Sequence, residues 1–255
     1  MHRFYVPPEL VNSREFALPA PEAHHALKVL RCRVGDSVEV LNGKGRRQTC
    51  EITEAGRRGV RVAVRNDRQD TASSLRVVLF QALTKGRSFD FVIEKATEIG
   101  VSEIMPVICE RSVAVPEGRH SDAKVEKWRQ SAIAAIKQCG RSWLPEIHPP
   151  RPFFSAIGRA DACEWNVVAA LDESARPLKE WLRGMGSMLA IGVSAGLWVG
   201  PEGDYAESEY EVMRSRKFSF ARLTDSVLRA ETAALYLLSS LHYEVGVAGH
   251  STAKV

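Results

Sequence analysis

From Leu75 onward, short apolar runs alternate with segments whose apolar residues recur at helical spacing, and this alternation constrains the fold most strongly. Residues 75–83 (LRVVLFQAL) are almost continuously apolar, as a strand buried on both faces requires. Phe89, Val92, Ile93, Ala96 and Ile99 then fall on one helical face, with Gly100 where a C-terminal cap belongs. Residues 101–108 (VSEIMPVI) predict a second strand. Val125, Trp128, Ala132, Ile136 and Cys139 predict a long helix ending at Gly140. Further strands are predicted over 167–173, 191–200 and 218–223. A last helix, capped by Asp225 or Ser226, should run to about Val245 with Ala230, Ala233, Ala234, Leu237, Leu238 and Leu241 on a broad apolar face. Strands alternating with helices predict an α/β domain with a parallel sheet over residues 75–245.

The first third of the chain has a different period. Val38 and Val40 alternate with polar neighbours, Asn42-Gly43 gives a hairpin signal, and Cys50 and Ile52 alternate on the return side. Val60, Val62 and Val64 mark another strand after Gly59, and residues 3–6 a fourth. A small β-barrel over residues 1–72 is expected, capped by a short helix with His24, His25, Leu27 and Val29. The polar stretch 67–74 (DRQDTASS) reads as a linker, and residues 246–255 as a frayed tail.

Charge separates the same two parts. Residues 1–74 carry 13 Lys and Arg against 9 Asp and Glu, whereas residues 75–255 carry 22 of each. The whole excess of +4 therefore lies in the first third, which suits a module facing a polyanion and equally suits a solvated basic face. The longest apolar stretch, residues 188–199, has 12 residues and two glycines, short of the ~20 a membrane helix needs. The N-terminal sequence MHRFYVPPEL has no apolar run of the secretory kind. Five scattered cysteines, with no C-x-x-C pair, point to reduced thiols and a cytoplasmic protein rather than a zinc site. Walker, G-x-G-x-x-G and H-E-x-x-H patterns are lacking, and no metal is expected.

Chemistry-bearing segments cluster where strands end. Gly200-Pro201-Glu202-Gly203 follows an apolar strand, at the sheet edge where α/β folds bind ligands. The glycines permit close backbone approach and Pro201 stiffens the turn, although a plain tight turn would look the same. Glu231 sits in the first turns of the last helix, where a carboxylate is favoured by the helix dipole, and helix capping alone would account for it. Arg229 is less easily explained that way. Lys85-Gly86-Arg87 follows the first strand of the α/β domain, and Arg141 follows the long helix. His24 and His25 diverge by about 100° on a helix and cannot readily share an ion. With Lys28 and Arg31 they make a phosphate-facing helix or a solvated one.

Five segments in order, HHALKVLRCRVGDSVEVLNGKG, LTKGRSFDFVIEKATEIGVSEIMPV, IKQCGRSWLPEI, LWVGPEGDYAESE and VLRAETAALYLL, closely resemble the RsmE family of 16S rRNA (uracil-N3)-methyltransferases of the SPOUT class. The likeness spans about residues 3–245. It implies a PUA-like RNA-binding β-barrel, an α/β domain with a deep trefoil knot that binds S-adenosyl-L-methionine, and a homodimer with its active site at the interface. The family's Gly-Pro-Glu-Gly-Gly has Asp204 in its last place here. Its Leu-Gly-x-Arg-Ile-Leu-Arg loop reads Leu223-Thr224-Asp225-Ser226-Val227-Leu228-Arg229, and Lys137 stands where a glutamate is common.

Residue by residue, the resemblance implies a cofactor site of Leu171, Gly200, Pro201, Glu202, Gly203, Leu223, Val227 and Leu228. Arg141, Arg229 and Glu231 are the implied catalytic residues. Arg3, His24, Lys28, Arg31, Lys85 and Arg87 are the expected RNA contacts, with 16S rRNA or the small ribosomal subunit as partner and no membrane. Gly200→Val is expected to block the cofactor while leaving the fold intact. A non-catalytic RNA-binding or ribosome-assembly protein, and a methyltransferase for another RNA, are the rival readings. Calorimetric binding of S-adenosylmethionine separates the first rival.

Overall fold

The computed structural model describes residues 1–11, 13–112, 119–172, 174–185 and 193–245. The expected tail over 246–255, and residues 173, 191 and 192 of two expected strands, lie outside the described residues. The chain divides into two compact units: Met1–Ala72 with Ile133–Leu144, and Ser73–Ala132 with Pro145–Val255.

In the first unit, β1 (His2–Tyr5), β2 (Glu15–Ala17), β3 (Ser37–Leu41), β4 (Arg46–Gly56) and β5 (Gly59–Gln69) form one sheet in the order β1-β3-β4-β5-β2. Only the β1–β3 pairing is parallel. The period-two valines do what their spacing dictates: Val38, Val40, Cys50, Ile52, Val60 and Val62 are buried in one core with Phe4 and Phe16. Helix α1 (Ala20–His24) continues as a π-helical turn over His25–Val29, and the His25 ring meets Phe4 edge-on. The hairpin turn takes four residues. Asn42 Oδ1 accepts the N–H groups of Lys44 and Arg46, while Gly43 and Gly45 take φ of +73° and +87°. A Cβ at Gly45 would stand 2.6 Å from the Trp143 ring, so no other residue fits that bend.

Two expectations change here. The polar residues 67–69 are strand, not linker, because Arg46 pairs with Asp67 across the β4–β5 ladder and makes charged side chains compatible with it. The short β2 was not foreseen, because only Phe16 of its three residues is buried.

The second unit is built on β6 (Arg76–Ala82), β7 (Glu103–Ile108), β8 (Glu146–Ile147), β9 (Arg151–Pro152), β10 (Trp165–Ala169), β11 (Arg176–Pro177), β12 (Ser194–Val199) and β13 (Ser219–Arg222). The sheet order is β11-β13-β10-β12-β6-β7-β8, with β9 also on β7, and every pairing is parallel. The expected strands at 75–83, 101–108, 167–173, 191–200 and 218–223 correspond to β6, β7, β10, β12 and β13. The two-residue strands β8, β9 and β11 are too short to leave a periodic signal.

Helices α2 (Ser88–Ile99), α3 (Arg119–Cys139), α4 (Phe153–Ala156), α5 (Leu178–Met185), α6 (Glu207–Ser215) and α7 (Ala230–Val245) complete the chain. Gly100 and Gly140 end α2 and α3 with φ of +124° and +81°. The last helix begins at Ala230, so Asp225 and Ser226 do not cap it. Instead the Arg229 carbonyl accepts the N–H of Ala233. Its apolar face is as expected, with Ala230, Ala233, Ala234, Leu237, Leu238 and Leu241 all buried.

At the sheet centre, Phe80 on β6 and Trp198 on β12 stand in register and stack with centroids 3.9 Å apart. The Trp198 indole donates to Asn166 Oδ1, and a Cβ at Gly196 would sit 2.3 Å from that oxygen, so Gly196 opens the space the amide needs. Among the described residues no helix is long and apolar enough to cross a membrane.

At the amino ends of β6 and β7, Glu103 accepts from Arg76 and meets His148 Nε2 at 2.9 Å. The hydrogen bond to His148, and then Arg76, pull the Glu103 carboxyl from its ordinary 4.5 to about 2 against the opposing effect of burial. A carboxyl lowered in the folded state contributes stability above its unfolded value and loses that contribution as pH falls from about 4.5 toward 2. Glu103→Gln should therefore flatten the acid limb of the stability curve in that window, as read by urea unfolding at stepped pH. An unchanged acid limb would contradict this role.

Candidate functional site

The strands β10, β12 and β13 are adjacent and parallel, so their carboxyl ends open onto the same edge. There the loops after all three strands enclose a cavity of about 250 Å³. Its wall runs through Ala169, Ala170 and Leu171 at the end of β10. It continues through Val199, Gly200, Pro201, Glu202 and Asp204 at the end of β12, and then along 222–224 and 226–230 to Ala233 of α7. Seven of the eight residues expected to hold a cofactor, Leu171, Gly200, Pro201, Glu202, Leu223, Val227 and Leu228, meet here. Leu171 is 59% exposed and Val227 75% exposed, so two apolar side chains stand open at this site.

Gly203 stands off this wall, and its carbonyl accepts from Arg111 Nη1 at 2.9 Å. Gly200 also differs from expectation. A Cβ there would stand 3.1 Å from the ring of Tyr205, which is fully buried, so Gly200→Val would disturb the fold as well as the cavity.

Of the expected catalytic residues, Arg229 lines the cavity and is exposed. Glu231 lies in the first turn of α7 and is half-buried. Lys85 and Arg87 are exposed on the loop after β6, where the Lys85 N–H donates to the Glu202 carboxylate. Asp204, Thr224 and Ser226, the departures from the resembled family's loops, also line the cavity, as does Arg222, which was not singled out from sequence. Its position at the end of β13 was the available signal. Burial pushes the thiols of Cys50 and Cys163 up to about 12 and 11, which leaves them inert as nucleophiles.

Arg141 belongs to the first unit, where the end of α3 is held by two guanidinium groups. Arg3 donates through Nη1 to the carbonyls of Lys137 and Gln138, and through Nε to Glu39. Arg47 bridges Glu39, Asp70 and the Gly140 carbonyl, and the Ser142 hydroxyl donates to Asp70. Cations at a helix C-terminus satisfy carbonyls that the helix itself cannot. A Cβ at Gly140 would press within 3.0 Å of the Arg3 guanidinium, which explains the glycine. Arg141, between these fixed points, makes no hydrogen bond or ion pair among the described residues, and burial pushes its pKa down. A desolvated, unpaired guanidinium is suited to an anion.

Arg3, expected as a phosphate contact, already spends its guanidinium on Glu39 and the carbonyls of α3. His24, Lys28 and Arg31 remain exposed on the first unit, Arg31 with φ of +56°. Lys137, where the resemblance expects glutamate, pairs with the buried Glu22 at 2.7 Å. A glutamate at 137 would face that carboxylate.

A family model described as an RNA methyltransferase domain matches residues 71–242. The chain belongs to this RNA methyltransferase family. A second model, an RNA methyltransferase PUA domain, matches residues 18–65. Among curated relatives, the ribosomal RNA small subunit methyltransferase E of Bacillus subtilis is 25% identical over 96% of this chain and 97% of its own. A methyltransferase from Legionella pneumophila, solved in complex with S-adenosylmethionine, matches with a TM-score of 0.85 at 26% identity over 94% of this chain and 96% of its own. The ribosomal RNA small subunit methyltransferase E of Neisseria gonorrhoeae, also bound to S-adenosylmethionine, matches with a TM-score of 0.81 at 26% identity over 95% and 97%.

Arg3→Ala removes three hydrogen bonds and leaves the buried Glu39 with Arg47 alone. It should lower the unfolding free energy by about 1–3 kcal/mol, measured by urea denaturation. A loss confined to RNA affinity, with stability unchanged, would return Arg3 to the RNA surface.

Proposed function

We propose that this RNA methyltransferase transfers a methyl group from S-adenosylmethionine to small-subunit 16S ribosomal RNA, and that the acceptor is N3 of one uridine. The cavity at the carboxyl ends of β10, β12 and β13 carries the reading, since seven of the eight residues assigned to the cofactor line it. Exposed Leu171 and Val227 offer apolar cover for a flat adenine, and neighbouring loop backbone offers donors and acceptors for its polar edge. When bound, S-adenosylmethionine supplies an electrophilic methyl on a sulfonium. The residues assigned here act on the other reactant.

Uracil N3 bears a weakly acidic proton and lies on the pairing edge, so the base must be unpaired and the proton's loss assisted. Arg229 at the cavity wall, and Arg141 with its desolvated guanidinium, would stabilise negative charge gathering on the uracil oxygens. Glu231 would accept the proton or orient an arginine. His24, Lys28, Arg31, Lys85 and Arg87, all exposed, would hold the RNA backbone.

The proposal includes a homodimer, a deep trefoil knot formed by the loops around the cavity, and work in the cytoplasm, where the RNA is. Phe91 and Tyr236, 45% and 43% exposed, line a hollow that shares Arg222, Leu223 and Thr224 with the cofactor wall, which supports a second copy seated there. Sedimentation of the full chain reads the dimer.

Mass spectrometry of small-subunit rRNA nucleosides, with and without the protein, tests the reaction. 3-Methyluridine appearing only with protein and cofactor is expected, and methylation at another atom or in another RNA would overturn the assignment. Leu171→Asp should weaken cofactor binding about tenfold by calorimetry, the equivalent of one lost apolar contact, with thermal stability unchanged because the side chain is already exposed. Arg141→Lys keeps the charge and loses the forked donor. It should slow single-turnover methylation about ten- to a thousandfold at unchanged cofactor affinity. A normal rate, or equal losses in rate and stability, would make Arg141 structural.

A further inference from the structure

Helix α6 contributes no residue to the cavity, yet three of its side chains reach three different strand exits. Glu209, 1% exposed, accepts the N–H of Glu110 after β7 and of Ala206 at the start of α6, which fixes the helix in place. Tyr210 donates its hydroxyl to Asp204, 2.8 and 2.9 Å from the two carboxylate oxygens, in the turn after β12. Arg214, one turn farther along, pairs through Nη2 with Asp172 at 2.6 Å, in the loop after β10. Its guanidinium lies 5.5 Å from the Tyr210 ring centroid and 5.9 Å from that of Phe220, and Glu207 holds its other nitrogen. Residues 210 and 214 share one helical face by their spacing of four.

We propose that Tyr210 and Arg214 are positioning residues for cofactor binding: together they clasp the loops after β10 and β12 and set the width of the cofactor cavity. The inference rests on reading that cavity as the S-adenosylmethionine site. Asp204 forms part of the wall, and Asp172 directly follows Leu171, which also forms part of it. Tightening or releasing the clasp therefore moves two parts of the wall while touching neither the cofactor nor the reacting atoms.

The backbone of Asp204 explains why this chain needs the clasp. Its φ is +61°, a left-handed conformation that glycine takes freely and a side-chain-bearing residue does not. The resembled family carries glycine at this place. Here the aspartate is retained in that conformation by its own side chain, which accepts from the Tyr205 N–H and the Tyr210 hydroxyl. Without Tyr210 the turn loses an anchor. With a glycine in place of Asp204, the turn keeps its shape unaided, and the hydroxyl of Tyr210 has nothing left to hold.

Four forms of the full chain test this: wild type, Tyr210→Phe, Asp204→Gly and the double variant. By calorimetry with S-adenosylmethionine, Tyr210→Phe should raise Kd about three- to tenfold, the range of one lost hydrogen bond. Its kcat on small-subunit RNA at saturating cofactor should stay within about twofold, because the clasp does not enter the chemical step. In the Asp204→Gly background the same Tyr210→Phe change should leave Kd unaltered. Arg214→Lys should raise Kd in both backgrounds, because its partner is Asp172. Amide hydrogen exchange at Leu171 and Gly203 reads the clasp without cofactor: Tyr210→Phe should speed it at Gly203 with Asp204 present, and not in the Asp204→Gly background. An unchanged Kd and unchanged exchange in Tyr210→Phe would overturn the proposal, as would the same Kd increase in both backgrounds. If wild type binds no S-adenosylmethionine while exchange responds as described, the clasp stands and the cofactor reading of the cavity falls.

Discussion

Parallel pairing throughout the second unit is the constraint on which the rest depends. A parallel strand cannot return by a tight hairpin, so each strand must leave the sheet by a longer connection, and all leave at the same edge. Adjacent strands β10, β12 and β13 therefore deliver three loops to one place, and the hollow between them is a product of topology before any side chain is chosen. The buried face that makes such a sheet stable, with Phe80 stacked on Trp198 at its centre, also makes the edge rigid.

Loops at such an edge have few contacts with one another, and the molecule solves this with charge and hydrogen bonds rather than apolar packing. In the second unit, α6 reaches the exits of β7, β10 and β12 through Glu209, Arg214 and Tyr210. The first unit uses the same device on a helix end, where Arg3 and Arg47, bridged by Glu39, meet the carbonyls of α3 and fix the backbone on either side of Arg141. In both places a buried or half-buried carboxylate lies between its partners, so removing one partner leaves a poorly solvated charge and costs more than the pair contributes. Arg141 is the contrast: among the described residues its guanidinium has no hydrogen bond or ion pair, and burial pushes its pKa down.

Departures from the resembled family become intelligible in these terms. Lys137 is answered by Glu22. Asp204 is answered by Tyr210 and by the N–H of Tyr205. Each substitution introduced a charge or a strained backbone, and each is accompanied by a partner that supplies what the change required. Among the described residues, Ser226 has no partner beyond the Thr224 hydroxyl, which donates to its carbonyl.

Local patterns in the sequence determined the elements that signal through periodicity. Runs of branched residues gave β6, β7, β10, β12 and β13, alternating valines gave β3 to β5, and glycines at 100 and 140 marked helix ends, because burial of one face imposes a repeat on the chain. Turns directly after those strands were legible as ligand loops for the same reason. Residues 67–69, the start of α7 and the two- and three-residue strands escaped, since a short or charged segment buries too little to show a period. Only the tertiary structure decided which loops share a cavity, that Gly203 turns away from it toward Arg111, and that Arg3 holds a helix end instead of standing free. It alone revealed α6 as the tie between them. Hydrogen bonds and ion pairs join groups up to 135 residues apart, and their partners are fixed by where the fold brings each side chain, a relation that no local pattern of the sequence encodes.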